Sequence, residues 1–170
     1  HPELLKRLAI CSINLSGHSI SNDDFLSFLL HQLKNSDVPP SKICFELTET
    51  ATIRNLVSAT EFMEELRSQG CRFALDDFGT GLSSFEYLKN LPVDFIKIDG
   101  QFIRNIVSDS IDYAMVKSIN EIAGAMSKKT IAEFVNTDAV LTILREIGID
   151  YAQGNAIAEP KPLSFLSASE

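Results

Sequence analysis

No apolar run in this sequence approaches the length needed to cross a bilayer, and its first residues do not read as a signal peptide. Cysteine is scarce. Cys11, Cys44 and Cys71 show no CxxC spacing, which argues against a structural zinc site. Each sits in an apolar, strand-like run, so all three read as buried, reduced thiols of a cytoplasmic protein. His1, His18 and His31 form no HxH or HExxH pattern, and His18 reads as a loop residue. Neither GxGxxG nor GxxxxGK[ST] occurs, which weakens a nucleotide-binding open-sheet reading. Basic residues are in deficit: 15 Lys and Arg against 23 Asp and Glu leave a net charge of −8. That balance argues against a bare surface for a DNA or RNA polymer or for acidic lipid. A small anionic ligand remains compatible with it where bound cations offset local carboxylates.

What is present is the composition of one globular domain: 170 residues, 45% apolar and 22% charged. The opening "HPELLKRLAICSINLSG" has no initiator Met and reads as entering a strand almost at once, as a piece of a longer chain would. The closing "LSASE" reads as the start of a linker.

Short apolar runs alternate with longer amphipathic ones. The strands are expected at "AICSINL", "KICFEL", "CRFALD", "VDFIKID", "KTIAEF" and "DYAQG". Between them five helices are expected. The first is "SNDDFLSFLLHQLKN", with Ser21 or Asn22 as cap and Phe25, Leu29 and Leu33 at helical spacing. The others are "SATEFMEELRSQG", ending at Gly70, the short "SSFEYLKNL", "DSIDYAMVKSINEIAGAMS" and "TDAVLTILREIG". Strict alternation predicts right-handed βαβ units and a parallel sheet. Two closures fit, an open doubly wound sheet or most of an eight-stranded barrel.

In "FALDDFGTG", two adjacent carboxylates follow an apolar run. Taken alone, the stretch reads as a loop before a helix cap. The strand ends taken together change that. They carry Asn14, Glu46, Asp76 with Asp77, Lys97 with Asp99, Glu133 and Gln153. In parallel α/β folds all these groups meet at one rim, where sites are built. Asn, Glu and Asp are hard oxygen ligands suited to Mg²⁺ or Mn²⁺. One carboxylate of the pair can bridge two cations about 3.5–4 Å apart, a clamp for in-line displacement at phosphorus. Lys97 adds a positive group for a phosphate oxygen or the attacking water. Phe73, Phe78, Phe85, Phe95 and Phe102 recur near the rim and fit core packing and loop anchoring.

The motifs "INLS", "FELTET", "LDDFGTG", "VDFIKIDGQF", "TIAEFV" and "YAQGNAIAEP", in that order and spacing, resemble the EAL domain family of cyclic di-GMP phosphodiesterases. The resemblance covers nearly the whole chain. It implies a TIM-like (β/α)₈ barrel with one antiparallel strand, and a domain over residues 1–165 followed by a tail, 166–170. It also implies hydrolysis of cyclic di-GMP to linear pGpG. By the same resemblance, Asn14, Glu46 and Asp76 are ligands of one metal, and Asp76, Asp77 and Glu133 of a second. Glu133 and Lys97 adjoin the nucleophilic water, so Lys97, Glu133 and Asp77 are the catalytic set. Glu49 anchors the loop after "DDFG", where a plain helix-start acid is the alternative. Gln153 and Asp99 face substrate, and for Asp99 a strand-end cap fits equally well.

The family's Glu-Ala-Leu motif is absent. It belongs on a strand upstream of Asn14, so about six of eight βα units are expected here. The chain alone is therefore expected to be inactive, and the intact domain active. Asn136 stands where active members carry a second glutamate. Asn155 replaces an aromatic, and Glu159 a basic or small residue. Asn136 removes a charge and Glu159 adds one. A degenerate domain that binds cyclic di-GMP without cleaving it is the second reading. A purely structural or dimerising barrel is the third. Upstream GGDEF or sensory domains and a homodimer are the expected partners.

Overall fold

The computed structural model describes residues 2–80 and 85–162. Six strands form one sheet: β1 Cys11–Asn14, β2 Ile43–Thr48, β3 Arg72–Phe78, β4 Phe95–Ile98, β5 Lys129–Ala132 and β6 Tyr151–Ala152. Their order in space is their order in the sequence, and all five pairings are parallel. A doubly wound sheet reverses its strand order at a switch point. This one never does, so right-handed crossovers carry every helix to the same side. Of the two closures, the structure takes the barrel, as an arc of six strands. The antiparallel strand implied by the resemblance is not among them.

The helices are α1 Pro2–Arg7, α2 Asp23–Lys34, α3 Glu49–Arg54, α4 Leu56–Ser68, α5 Phe85–Asn90, α6 Gly100–Arg104, α7 Ser110–Ala125 and α8 Asp138–Ile147. Asn22 caps α2 by accepting the Phe25 N–H at 3.0 Å. Asp109 caps α7 through the N–H of Ile111 at 2.7 Å. Gly148, at φ 86°, ends α8 in the left-handed conformation that glycine adopts without strain.

Alternation along the strands sorts the side chains onto two faces. Phe45, Leu47, Phe73, Leu75, Ile96, Ile98 and Ala132 pack beneath the helices. There they meet Phe62, Met63 and Leu66 of α4, Val116 and Ile119 of α7, and Val140 and Leu144 of α8. Fully burying a side chain such as Phe73 or Leu75 stabilises the fold by about 2–3 kcal/mol. The opposite face holds a small cluster, Cys44, Ala74 and Phe95. One pleat further along each strand on that face stand Glu46, Asp76 and Lys97.

At the N-terminal ends of the strands two aspartates do equivalent work. Asp94 accepts the N–H of Phe73 at 2.9 Å and pairs with Arg67 at 2.7 Å. Asp150 accepts the N–H of Thr130 at 2.9 Å and pairs with Lys129 at 3.0 Å. Each ties the start of one strand to its neighbour.

Several expectations need correction. Cys11 is exposed, because β1 is an edge strand with every residue open to solvent; Cys44 and Cys71 are buried and free. Burial pushes the Cys44 thiol up to about 12 and the Cys71 thiol up to about 11. The chain opens with α1 rather than a strand, and the Lys42 ammonium donates to the carbonyls of Leu5 and Leu8 behind it. Three short helices, α1, α3 and α6, were not expected; segments of five or six residues show no helical period. β3 runs on through Asp76 and Asp77 to Phe78. Phe85 leans on Phe78, ring centroids 5.8 Å apart, but stays partly exposed. The tail at 166–170, Gly81 and the first residues of "SSFEYLKNL" lie outside the described residues. Among the described residues no helix is long and apolar enough to cross a membrane.

Candidate active site

Parallel strands deliver their C-terminal ends to one rim, and the register decides which side chains meet. Asn14 pairs with Glu46, and Thr48 with Asp76. Lys97 pairs with Ile131, two residues before Glu133 and on the same face. The Lys97 ammonium consequently stands among three carboxylates, 2.7 Å from Glu46, 2.8 Å from Glu133 and 2.9 Å from Asp76. Lys97 is 4% exposed and Glu46 6%. Burial works against the ammonium, but hydrogen bonds to Glu133, Glu46 and Asp76 outweigh it and raise its pKa.

Neighbours on a regular strand point to opposite faces. Asp76 and Asp77 do not, and the backbone shows why. Asp77 is left-handed at φ 55°, and the β3–β4 register shifts between Leu75 and Phe78. Asp is among the few residues that tolerate this conformation. The irregularity brings carboxylate oxygens of Asp76, Asp77 and Glu133 within 4.8 Å of one another. Burial, then the charges of Asp76 and Asp99, raise the Asp77 pKa. Burial also raises that of Glu133, with Lys97 pulling the other way and Asp76 and Asp77 adding to the rise.

The turn after Asp77 is fixed from several sides. The Thr80 hydroxyl donates to the Asp77 carbonyl at 3.0 Å. Gly79 has φ 100°, and a Cβ there would lie 2.7 Å from the Phe102 ring, so the position requires glycine. The Gly79 N–H donates to Glu49 Oε2 at 3.0 Å, and the Tyr87 hydroxyl donates to Glu49 Oε1. Glu49 is wholly buried at the first turn of α3.

The remaining residues stand further out. Asp99 caps α6 by accepting the Gln101 N–H at 2.7 Å and lies beside Asp77. Asn14 occupies the exposed edge strand opposite Glu46. Gln153 follows β6, its N–H bonded to Ala132 O at 2.8 Å and its carbonyl to Val135 N–H at 3.0 Å, with its side chain exposed. Asn136, Asn155 and Glu159 are exposed. Sequence reasoning missed Tyr87; its only signal was a phenol on a short amphipathic helix just after the loop, an aromatic that needs a polar partner when buried.

The donor set fits a divalent cation. Four carboxylates, Glu46, Asp76, Asp77 and Glu133, face one ammonium, so negative charge is in excess. Burial first, and neighbouring carboxylates after it, raise the Asp77 and Glu133 pKa values, and a cation bound there would offset both costs of ionising them.

Comparison with known proteins places the chain and its fold. The family model described as EAL domain matches residues 3–160. The cyclic di-GMP phosphodiesterase PdeB of Shewanella oneidensis is 45% identical over 153 residues, 90% of this chain and 18% of its own length. The cyclic di-GMP phosphodiesterase PdeA of Borreliella burgdorferi is 43% identical over 154 residues, 91% of this chain and 23% of its own length. The chain thus spans under a quarter of these relatives. The solved structure of the phosphodiesterase PaMucR in complex with c-di-GMP superposes with a TM-score of 0.87 at 32% identity, covering 92% of this chain and 64% of that one. From the match over most of its length, the chain belongs to the EAL domain family.

Proposed function

We propose that the domain to which this chain belongs hydrolyses cyclic di-GMP to linear pGpG, with two divalent cations, Mg²⁺ or Mn²⁺, per site. The observation that carries the reading is the cluster of Asp76, Asp77 and Glu133 beside Lys97 at the strand ends. The phosphodiesterase names of the relatives supply the substrate class. Asn14, Glu46 and Asp76 would hold one cation, and Asp76, Asp77 and Glu133 the other. Bound there, the cations would supply Lewis acidity to a phosphoryl oxygen and acidify a water.

The chain's own groups do the rest. The Lys97 ammonium, whose three donors face Glu46, Asp76 and Glu133, would hold a phosphoryl oxygen or the attacking water by a charge-assisted hydrogen bond once one of those carboxylates turns to a cation. Glu133, its pKa raised by burial, accepts the proton that water loses. Asp99 and Gln153 contact the substrate. Glu49 anchors the turn that carries Asp77. We assign residues 1–165 to the domain and 166–170 to a tail. We further infer a cytoplasmic location, GGDEF or sensory modules in the same protein, and pairing of two copies. One relative, MucR of Pseudomonas aeruginosa, carries both diguanylate cyclase and phosphodiesterase in its name.

Incubating the full-length protein with cyclic di-GMP and Mg²⁺, then separating products by chromatography, tests the reading. Formation of pGpG is expected. Tight binding of cyclic di-GMP with no pGpG under Mg²⁺ or Mn²⁺ would replace the enzyme with a receptor.

A further inference from the structure

We propose that Tyr87 is a positioning residue for the cation-binding carboxylates: through Glu49 and Gly79 it holds the turn that aims Asp77. The inference rests on the cation site of the preceding section.

The chain of contacts is continuous. The Tyr87 hydroxyl donates to one oxygen of Glu49, and the other oxygen accepts the Gly79 N–H at 3.0 Å. Glu49 is fully buried, and among the described residues no cation pairs with it. A buried carboxylate without a counter-charge depends on its hydrogen-bond donors. Among the described residues the phenol is the one donor to Oε1, so removing it takes away that oxygen's described partner and frees the carboxylate to rotate. The Gly79 bond then loses its fixed acceptor.

Gly79 matters because of what precedes it. Asp77 and Gly79 both have positive φ, 55° and 100°. Glycine adopts such a φ freely, but at Asp77 it persists because the surroundings hold it. Phe102 presses on one side of Gly79, Thr80 closes the turn onto the Asp77 carbonyl, and Glu49 pulls on the Gly79 amide. With the Glu49 contact loosened, Asp77 can relax toward ordinary strand geometry, which points its carboxylate away from Asp76 and Glu133. Burial, reinforced by Glu49, raises the Tyr87 pKa, so the phenol keeps its proton and stays a donor across working pH. Outer groups of this kind are worth about 10–100-fold in metal affinity.

The variant Tyr87→Phe removes one oxygen and keeps the ring. In the full-length protein, two quantities are measured without nucleotide: hydrogen–deuterium exchange at the Gly79 and Val116 amides, and Mn²⁺ affinity by electron paramagnetic resonance. Tyr87→Phe is expected to speed exchange at Gly79 about tenfold, to leave Val116 in α7 unchanged, and to weaken Mn²⁺ binding about tenfold. In a Glu49→Gln background the same change is expected to add nothing to the loss of Mn²⁺ affinity. Unchanged exchange at Gly79, unchanged Mn²⁺ affinity, parallel acceleration at Gly79 and Val116, or effects that multiply in the double variant would each overturn the proposal. A wild type that binds Mn²⁺ but forms no pGpG defeats the proposed hydrolysis and leaves this test standing. A wild type that cleaves cyclic di-GMP while Tyr87→Phe retains full Mn²⁺ affinity defeats only the role of Tyr87.

Discussion

The Lys97 ammonium lies 2.8 Å from the Glu133 carboxylate just past the end of the adjacent strand, and it holds Glu46 and Asp76 by the same three-donor head. One fixed cation thus keeps three buried or half-buried carboxylates together before any metal arrives. The cost of assembling the site is met by the fold itself, and the excess negative charge is left to attract divalent ions.

Lys97→Met is expected to destabilise the cation-free protein by about 3 kcal/mol, because removing one partner leaves Glu46 buried and unpaired. Mg²⁺ is expected to restore much of that loss and to stabilise the variant more than the wild type. Denaturant midpoints with and without Mg²⁺ measure both effects. A variant as stable as wild type without cations would show that the ammonium does not hold the cluster.

Glu46→Gln and Asp76→Asn are each expected to lower turnover of cyclic di-GMP by at least about 100-fold, since neutral amides are poor ligands for Mg²⁺. Asp76 is the greater loss, being the proposed bridge. Steady-state rates at saturating Mg²⁺ decide this, and a near-normal rate in either variant would reject its place among the ligands.

Asp150 ties the stability of the fold to pH. Burial opposes its ionised form, but the Thr130 N–H and the Lys129 ammonium prevail and hold its pKa below the usual carboxylate range. A folded-state pKa below the unfolded one contributes stability that is complete above the unfolded value, about 3.9, and is lost as pH falls through the folded value. Asp150→Asn is therefore expected to cost about 1 kcal/mol at pH 7, a modest figure because the pair is partly exposed. The gap between variant and wild type closes below the unfolded pKa. Urea midpoints across the acid range follow it, and a gap constant with pH would mean the amide loses something other than charge.

Much of this site can be read from the residues because a parallel sheet converts sequence order into spatial order. Once "SIN", "CFEL", "FALDD", "FIKID" and "IAEF" are strands, their polar ends share a rim. Asn14, Glu46, Asp76, Lys97 and Glu133 reach it as residues at or near the C-terminal ends of parallel strands. The local backbone of Asp77 does not follow. Asp tolerates a positive φ but does not demand one, and the register shift that accompanies it belongs to the pairing of β3 with β4. Nor does Tyr87 announce Glu49, which lies 38 residues before it and meets it only through packing. Cys11 misleads for a related reason: "AICSINL" is as apolar as a core strand, and only its place at the sheet edge exposes it. The short helices α3 and α6 are set by their caps, Thr48 and Asp99, not by any apolar stripe.

The identity of the cation separates binding from cleavage. Ca²⁺ is expected to bind, since Glu46, Asp76, Asp77 and Glu133 offer hard carboxylate oxygens and the cluster carries excess negative charge. It takes six to eight ligands at about 2.3–2.6 Å, whereas Mg²⁺ demands a near-octahedral shell at about 2.0–2.1 Å. The cluster is held tightly, with Asp76 and Glu133 both bonded to Lys97 and Asp77 pinned by its turn. Such a frame cannot spread to suit the larger ion without breaking those contacts. Ca²⁺ also polarises water less than the smaller ions do. Cyclic di-GMP is therefore expected to raise the melting temperature of the full-length protein in Ca²⁺ with no pGpG formed, while Mg²⁺ and Mn²⁺ support both binding and cleavage. Chromatography of the products under the three cations, beside thermal melts, separates binding from chemistry. Robust cleavage in Ca²⁺ would mean that the spacing set by Asp76 and Asp77 does not govern the reaction.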